Sequence, residues 1–233
     1  MLKIEQFRYA SDNLGYLIFG ERYALAVDGG AADEMLVFLA NQNLSLVHVT
    51  NTHDHYDHTT GNDELLRRSK ATYLSPKELA EKGVVILEGE KILIYPTPGH
   101  TRDAVCLHAG NILISGDTLF NGTVGNCFTG NLREFYHSIK KLMALPDETV
   151  IYAGHDYVRD SVAFAKRLEP GNGDPDAFLS SYDPGHVYST LAEERRMNPY
   201  LRFNDERIIE ILRKRGLRTG TEYERWESLM SID

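Results

Sequence analysis

The segment Thr-His-Asp-His-Tyr-Asp-His, residues 52–58, constrains the fold of this chain more than any other feature. It comes directly after the apolar run Leu44–Val49, which predicts a buried strand. In an extended backbone, side chains two residues apart point to the same side, so His53 and His55 can reach one metal ion. The Asp-His pair at the end of the segment can then face a second ion. The chain has nine histidines in 233 residues, so three of them would rarely cluster at this spacing by chance in an ordinary solvated loop.

Three later segments repeat the order of a strand-like run, a glycine and a metal-binding side chain. The side chains are His100 after the run Ile92–Tyr95, Asp117 after Asn111–Ser115 and His155 after Val150–Ala153. Glycine permits the sharp exit that turns the next side chain over the strand ends. A two-metal centre needs these additional donors, including a carboxylate that can bridge. Four strands that end in such donors predict a metallo-hydrolase site at one sheet edge.

These motifs resemble the complete ligand set of the metallo-β-lactamase superfamily. The resemblance is closer to one branch, the glyoxalase II or hydroxyacylglutathione hydrolases, and it extends from about Asp12 to the C-terminus. The stretches that match this branch are residues 52–62, 116–120, 154–157, 189–194 and 198–202.

The resemblance implies a role for each donor and a reaction. One metal is held by His53, His55 and His100, the other by Asp57, His58 and His155, and Asp117 bridges the two. Asp57 and Asp117 are the predicted catalytic carboxylates. The implied cofactors are two divalent ions, with zinc expected and iron or manganese as alternatives. A hydroxide that bridges the metals would attack a thioester carbonyl and release a thiol and a hydroxy acid. A thiolate with a parent pKa of about 8.5 leaves without obligatory protonation.

The expected substrate-binding residues depart from the pattern of glutathione-binding relatives. Tyr157 and Arg202 match two of the contacts, whereas Asn126 and Phe128 stand where those relatives carry Lys and Tyr. Weak saturation by a glutathione thioester, or preference for another thioester or ester, is therefore predicted. Asp54, the remaining acid of the loop, is predicted to support the ligands rather than to shuttle protons.

Three alternatives stand beside the thioester hydrolase. A related iron enzyme, the persulfide dioxygenase, is favoured by the Asp in His155-Asp156-Tyr157, but Gly116–Phe120 and Gly154 follow the hydrolase pattern. A non-catalytic protein would have lost a ligand, and all seven are present. The third alternative is another hydrolase of the superfamily whose substrate does not contain glutathione.

Composition and charge count against nucleic-acid and membrane partners. A net charge of −9 counts against a nucleic-acid surface, and the chain has no apolar run of membrane-spanning length and no signal-peptide pattern. Two cysteines, Cys106 and Cys127, do not form a disulfide framework, which suggests reduced thiols in a cytoplasmic protein. We expect a monomer or small homo-oligomer that acts on a small thioester.

The order of elements predicts a mixed α/β fold. Strands and helices mix without strict βαβ alternation, which suits a sandwich flanked by helices, and the resemblance implies the αββα architecture. We expect residues 1–165 to form the dimetal hydrolase domain, with Val150–Ala153 as its last strand. A breaker at Glu169–Asp176 and a charged helical stretch from residue 190 predict a small C-terminal domain over 166–233 that helps to bind substrate.

Overall fold

A computed structural model describes residues 1–232. The strands, numbered in chain order, are β1 (Lys3–Tyr9), β2 (Asn13–Phe19), β3 (Tyr23–Val27), β4 (Ser45–Thr50), β5 (Thr72–Leu74), β6 (Val84–Leu87), β7 (Glu90–Pro96), β8 (Val105–Ala109), β9 (Ile112–Gly116), β10 (Leu119–Phe120), β11 (Thr123–Val124), β12 (Val150–Ala153) and β13 (Ser189–Thr190). The helices are α1 (Ala32–Asn41), α2 (Tyr56–Thr59), α3 (Asn62–Arg68), α4 (Pro76–Lys82), α5 (Leu132–Met143), α6 (Val158–Leu168), α7 (Asp174–Ser181), α8 (Leu191–Met197), α9 (Glu206–Lys214) and α10 (Glu222–Met230), with a 3-10 turn at Pro199–Leu201.

The strands form two large sheets and one small hairpin. The first sheet has the order β1-β2-β3-β4-β5, and the second has the order β13-β12-β9-β8-β7-β6. Neighbours are antiparallel except where β4 lies between β3 and β5 and where β12 pairs with β9, and these pairs are parallel. The hairpin of β10 and β11 follows the end of β9 directly.

The interior of the sandwich follows from the period-two pattern of the strands. Leu14, Tyr16 and Ile18 of β2 are fully buried and belong to one core cluster with Ile92 and other residues of the second sheet. Leu17, on the opposite face of β2, belongs instead to the cluster beneath α1. Burying each large apolar side chain contributes about 1.5–3 kcal/mol, so this layer is a main source of stability.

Helices cover both outer faces. Met35 of α1 and Leu65 of α3 pack on the first sheet, while Phe135 of α5 and Trp226 of α10 pack beyond the second. Trp226 contacts the ring of Phe135 edge to face, with centroids 5.7 Å apart. The expected αββα sandwich with a helical C-terminal region is thereby confirmed.

Two local expectations were wrong. Val150–Ala153 is not the last strand, because Ser189 and Thr190 add a short antiparallel strand beside it. The breaker is also shorter than predicted, since α7 begins at Asp174 with Pro175 in its first turn, where a missing N–H costs nothing. The predicted domain division near residue 165 falls within α6 and stays a prediction. Within residues 1–232, no helix combines the length and the apolar character needed to cross a membrane.

A buried carboxylate joins the C-terminal region to the β10–β11 hairpin. Both oxygens of Glu194 accept from the backbone N–H of Gly122, at 3.0 and 3.1 Å. The Ser189 hydroxyl donates at 2.6 Å and the Asn198 amide at 2.8 Å. Burial outweighs these hydrogen bonds and raises the pKa of Glu194 to about 7. The β10–β11 hairpin is therefore anchored to the C-terminal region by Glu194, a carboxyl group that is costly to ionise.

This shift predicts a pH-dependent contribution of Glu194 to stability. Because the folded-state pKa lies above the ordinary value of 4.5, ionisation destabilises the fold progressively as pH rises from about 4.5 to 7. Relative to Glu194→Gln, the free energy of unfolding of the unmodified protein should fall by about 3 kcal/mol across that window. Denaturant unfolding at matched metal content measures this difference. Glu193→Gln, next to it in α8, serves as control, and equal pH slopes for the unmodified protein and Glu194→Gln would contradict the shift.

Candidate metal centre

Four strand ends meet at one edge of the sandwich. The loop after β4 carries the His-rich segment, and β7, β9 and β12 lead into His100, Asp117 and His155. Gly116 has φ +50°, a conformation that other residues rarely adopt, at the turn before Asp117. A Cβ on Gly154 would lie 2.1 Å from Oδ1 of Asp117, so only glycine allows these two strand ends to approach so closely.

The first donor group consists of His53, His55, His100 and Asp117. One ligand atom from each lies within 4.8 Å of the others. Nδ1 of His55 is 3.0 Å from Nε2 of His53 and 3.1 Å from Nε2 of His100. Nε2 of His100 is 3.4 Å from Oδ2 of Asp117. Three imidazoles and one carboxylate therefore surround a point at which one ion fits.

The second donor group consists of Asp57, His58 and His155, which also lie within 4.8 Å of one another. The two Nε2 atoms are 3.2 Å apart. Oδ2 of Asp57 lies 3.6 Å from Nε2 of His58 and 3.3 Å from Nε2 of His155.

Asp117 lies between the two groups. Its Oδ1 is 3.4 Å from Nε2 of His58, and its Oδ2 is 3.5 Å from Nε2 of His155 and 4.0 Å from Nε2 of His53. The residue is 7% exposed, and its Oδ1 has no hydrogen-bond partner among the described residues. A buried carboxylate oxygen without a donor is costly unless a cation contacts it. The arrangement therefore fits a carboxylate shared by two ions.

The outer ring nitrogens are held by acceptors. Nδ1 of His155 lies 2.8 Å from Oδ1 of Asp12, and Nδ1 of His100 lies 3.0 Å from the carbonyl oxygen of Asn126. Nδ1 of His58 lies 3.1 Å from Oδ2 of Asp28. Because these oxygens only accept, each Nδ1 carries the proton and each Nε2 directs a lone pair inward.

Asp28 also orients His53 through a hydroxyl group. The backbone N–H and the hydroxyl of Thr52 both donate to its carboxylate at 2.8 Å. The Thr52 oxygen is therefore free to accept from Nδ1 of His53, 3.1 Å away. One fully buried carboxylate thus fixes a histidine of each donor group.

Facing lone pairs require positive charge between them. Nε2 of His58 and Nε2 of His155 repel each other at 3.2 Å unless a proton or a metal ion lies there. Burial alone would lower the pKa of His58, but Asp28 and Asp117 outweigh it and raise that pKa to about 11. The donor set thus attracts a cation, and a metal ion would replace the proton of His58.

Other ionisations suit metal binding directly. Burial, with a contribution from His58, lowers the pKa of His53 to about 4, and burial lowers the pKa of His100. Burial would raise the pKa of Asp117, but His58 at 3.4 Å and the other nearby imidazoles lower it to about 2. Neutral imidazoles and an ionised carboxylate are the forms that ligate metals.

The sequence reasoning overlooked three residues that support the donors. Asp12 and Asp28 accept from ligand histidines, and Asn13 donates to Oδ2 of Asp57 at 2.8 Å. Asp28 gave a sequence signal, because it stands between an apolar strand and two glycines. In the structure it adopts φ +53°, a conformation that few residues other than glycine take. Asp54 belongs to neither donor group and is exposed, while partial burial and Asp103 raise its pKa.

The predicted substrate residues occupy different places. Tyr157 stacks on the ring of His155, with centroids 5.0 Å apart and planes at 4°. Phe128, 66% exposed, packs edge-on against His100 with centroids 5.1 Å apart. Asn126 lines a groove of about 340 Å³ beside the metal centre, and Tyr157 also lines it.

Arg202 is not brought to this groove. Its guanidinium is 9% exposed and bonds to the buried carboxylate of Glu169. It also donates to Oδ2 of Asp205 at 2.9 Å. Both partners belong to the C-terminal region, so Arg202 acts there as part of an internal ion-pair cluster.

Comparison with known proteins agrees with this geometry. The family model of the metallo-beta-lactamase superfamily matches residues 12–84 and 77–155, and the model for the hydroxyacylglutathione hydrolase C-terminus matches residues 156–229. A hydroxyacylglutathione hydrolase from Pseudoalteromonas translucida is 32% identical, with 100% of this chain and 97% of the relative covered. One from Maricaulis maris is 34% identical over 89% of each chain. The crystal structure of ETHE1 from Myxococcus xanthus superposes with a TM-score of 0.69 at 25% identity, with 99% of this chain and 92% of that chain covered. The resemblance drawn from the sequence is confirmed.

Removal of the shared carboxylate should affect both ions. We expect Asp117→Ala to lower the metal content of both donor groups together, because its oxygens face both. Elemental analysis after dialysis at defined free metal measures this. Asp54→Asn, an acid outside both groups, is the control and should retain two ions per chain. Full occupancy in Asp117→Ala would contradict the shared position.

Asp28 should influence metal affinity without touching a metal. Asp28→Asn keeps the shape of the side chain but offers one acceptor oxygen instead of two, so the orientation of His53 and His58 weakens. We expect metal affinity to fall by about 10–100-fold. Competition with a chelator measures the change. Asp33→Asn, on the surface of α1, should bind metal as the unmodified protein does, and an equal effect in both variants would refute the role of Asp28.

Proposed function

The chain belongs to the hydroxyacylglutathione hydrolase family of the metallo-β-lactamase superfamily, and we propose that its substrate is the thioester of a 2-hydroxy acid with glutathione. Hydrolysis adds water across the carbonyl–sulfur bond and yields the hydroxy acid and the free thiol. The hydrolysis rests above all on one observation, the two donor groups that meet at Asp117. The glutathione carrier is supported by the hydroxyacylglutathione hydrolases that the chain resembles.

We propose that His53, His55 and His100 hold one divalent ion, that Asp57, His58 and His155 hold the other, and that Asp117 contacts both. The donors include imidazoles and carboxylates but no thiolate, and zinc suits this set, with iron and manganese as alternatives. When bound, two such ions supply a water whose pKa falls from about 15.7 towards 7 and a positive centre for a developing oxyanion.

The protein's own groups would orient these partners. Burial would raise the pKa of Asp57, but the hydrogen bond from Asn13 and the charge of His58 lower it. Asp57 and Asp117 therefore remain ionised at neutral pH and can accept protons or ligate metal, but they are not donors of protons. A thiolate needs no proton donor to leave, since the parent pKa is about 8.5. The ionisation of the site thus favours a thioester over a substrate with a poor leaving group.

The surroundings of the centre would position the substrate. The ring of Tyr157 packs against His155, and the ring of Phe128 packs against His100, which belongs to the other donor group. Asn126 accepts from His100 with its carbonyl oxygen and is one of the residues that line the groove. We propose that the thiol carrier lies along this groove while the acyl group faces the donors. The cytoplasmic location and the monomeric or small homo-oligomeric state stay predictions.

A substrate panel tests the proposal. Zinc-loaded and iron-loaded protein should hydrolyse S-lactoylglutathione and should contain two ions per chain. The reaction is measured by the free thiol that it produces. Glutathione persulfide with dissolved oxygen provides the arm for the related iron dioxygenase. Oxygen consumption by protein with one iron, and no hydrolysis of any thioester, would overturn the proposal.

Asn126 and Phe128 provide a test of carrier specificity. Adding a cation and a phenol at these positions should strengthen binding of an anionic tripeptide in ground state and transition state alike. For Asn126→Lys combined with Phe128→Tyr, we expect the KM for S-lactoylglutathione to fall about tenfold with kcat nearly unchanged. Gln42→Lys, exposed on the first sheet's helix layer, controls for the added charge. A KM that is already low micromolar and does not improve in the double variant would show that other groups hold glutathione.

A further inference from the structure

The groove beside the metal centre contains one cation, Arg167, near the far end of α6. We propose that Arg167 determines carrier specificity by binding a carboxylate at the distal end of the thiol carrier. The inference rests on the proposed thioester hydrolysis, and it assigns to Arg167 the role that Arg202 was expected to fill.

The groove adjoins the donors through residues that contact them. Phe120 and Tyr157, which line it, both contact the ring of His155, at centroid distances of 6.2 and 5.0 Å. Asn126, which also lines the groove, accepts from His100 through its carbonyl oxygen. A carrier whose thioester faces the donors can therefore lie in this groove, along α6.

Arg167 is available for a ligand. It is exposed and makes no ion pair with any residue from 1 to 232, and its guanidinium lies 5.9 Å from the ring centroid of Phe164, another residue of the groove. Arg202, by contrast, is committed to Glu169 and Asp205. An arginine with free donors can bind a carboxylate through two parallel hydrogen bonds.

The length of the groove suits a carrier of tripeptide size. Ten residues of helix separate Tyr157 from Arg167, which is about 15 Å along the axis. Helical side chains lean towards the N-terminus, so the guanidinium can lie several ångströms nearer to the metal centre. Three extended residues span about 10 Å. A carboxylate at the end of such a carrier can therefore reach Arg167 while its sulfur stays at the donors.

Asp160 adds polarity to the same surface. It lines the groove two helical turns before Arg167 and is the anion nearer to the donors. A carboxylate close to the sulfur would meet Asp160, whereas one at the far end meets Arg167. The surface thus favours carriers that have their negative charge distal to the thioester.

Two thioesters of the same acyl group test the inference on metal-loaded protein. S-lactoylglutathione carries carboxylates on its carrier, and S-lactoyl-N-acetylcysteamine carries none. We expect Arg167→Ala to raise the KM for the glutathione thioester about fivefold and Arg167→Glu to raise it more than tenfold, with kcat nearly unchanged. The KM for the neutral thioester should not change, and Arg167→Lys should retain most of the affinity for the anionic one.

Lys166→Ala, which removes the neighbouring cation of α6, is the matched control and should leave both KM values unchanged. Unchanged KM values in Arg167→Glu, or equal increases for both thioesters, would overturn the role of Arg167 while the hydrolase function stands. If the unmodified protein hydrolyses neither thioester, the proposed function itself fails. The two failures are therefore distinguishable.

Discussion

The structure depends on the close approach of imidazole nitrogens that direct lone pairs at one another. Nε2 of His58 and Nε2 of His155 lie 3.2 Å apart, and Asp28 and Asp12 hold the proton of each ring on the outer nitrogen. Such an arrangement is unfavourable without positive charge at its centre. The same acceptors that fix the rings therefore make the site attract cations strongly. Asp28, which is fully buried, orients one histidine of each donor group: it contacts His58 directly and reaches His53 through the hydroxyl of Thr52.

The rest of the fold serves to hold these side chains at that distance. Donors from both sheets meet only because the strand ends approach closely, and Gly154 permits this where any side chain would collide with Asp117. The β10–β11 hairpin leads from Asp117 towards Asn126, which orients His100. Glu194 holds that hairpin from the C-terminal region through the N–H of Gly122. Stability of the C-terminal helices and geometry of the metal centre are thus physically linked.

The strand-like runs predicted a mixed sandwich, and the family resemblance implied its αββα layers. The seven residues predicted as ligands are the ones that the structure brings together in two groups, because His-rich and Gly-ligand motifs at strand ends leave a strong local signal. Asp12 and Asn13 were missed because they lie some 140 residues from His155 in sequence, and only the pairing of the two sheets brings them together. The strand at Ser189 is too short to produce a pattern. Arg202 illustrates another limit of sequence-based prediction, since a motif cannot reveal that its guanidinium already forms an ion pair with Glu169.

Anomalous X-ray diffraction from metal-loaded crystals tests the two-ion centre most directly. We predict two peaks, one contacted by His53, His55 and His100 and the other by Asp57, His58 and His155, with Asp117 in contact with both. At the absorption edge of the bound element, both peaks should respond alike. A single peak at full occupancy, or two peaks that do not share Asp117, would contradict the dimetal centre on which the proposed hydrolysis depends.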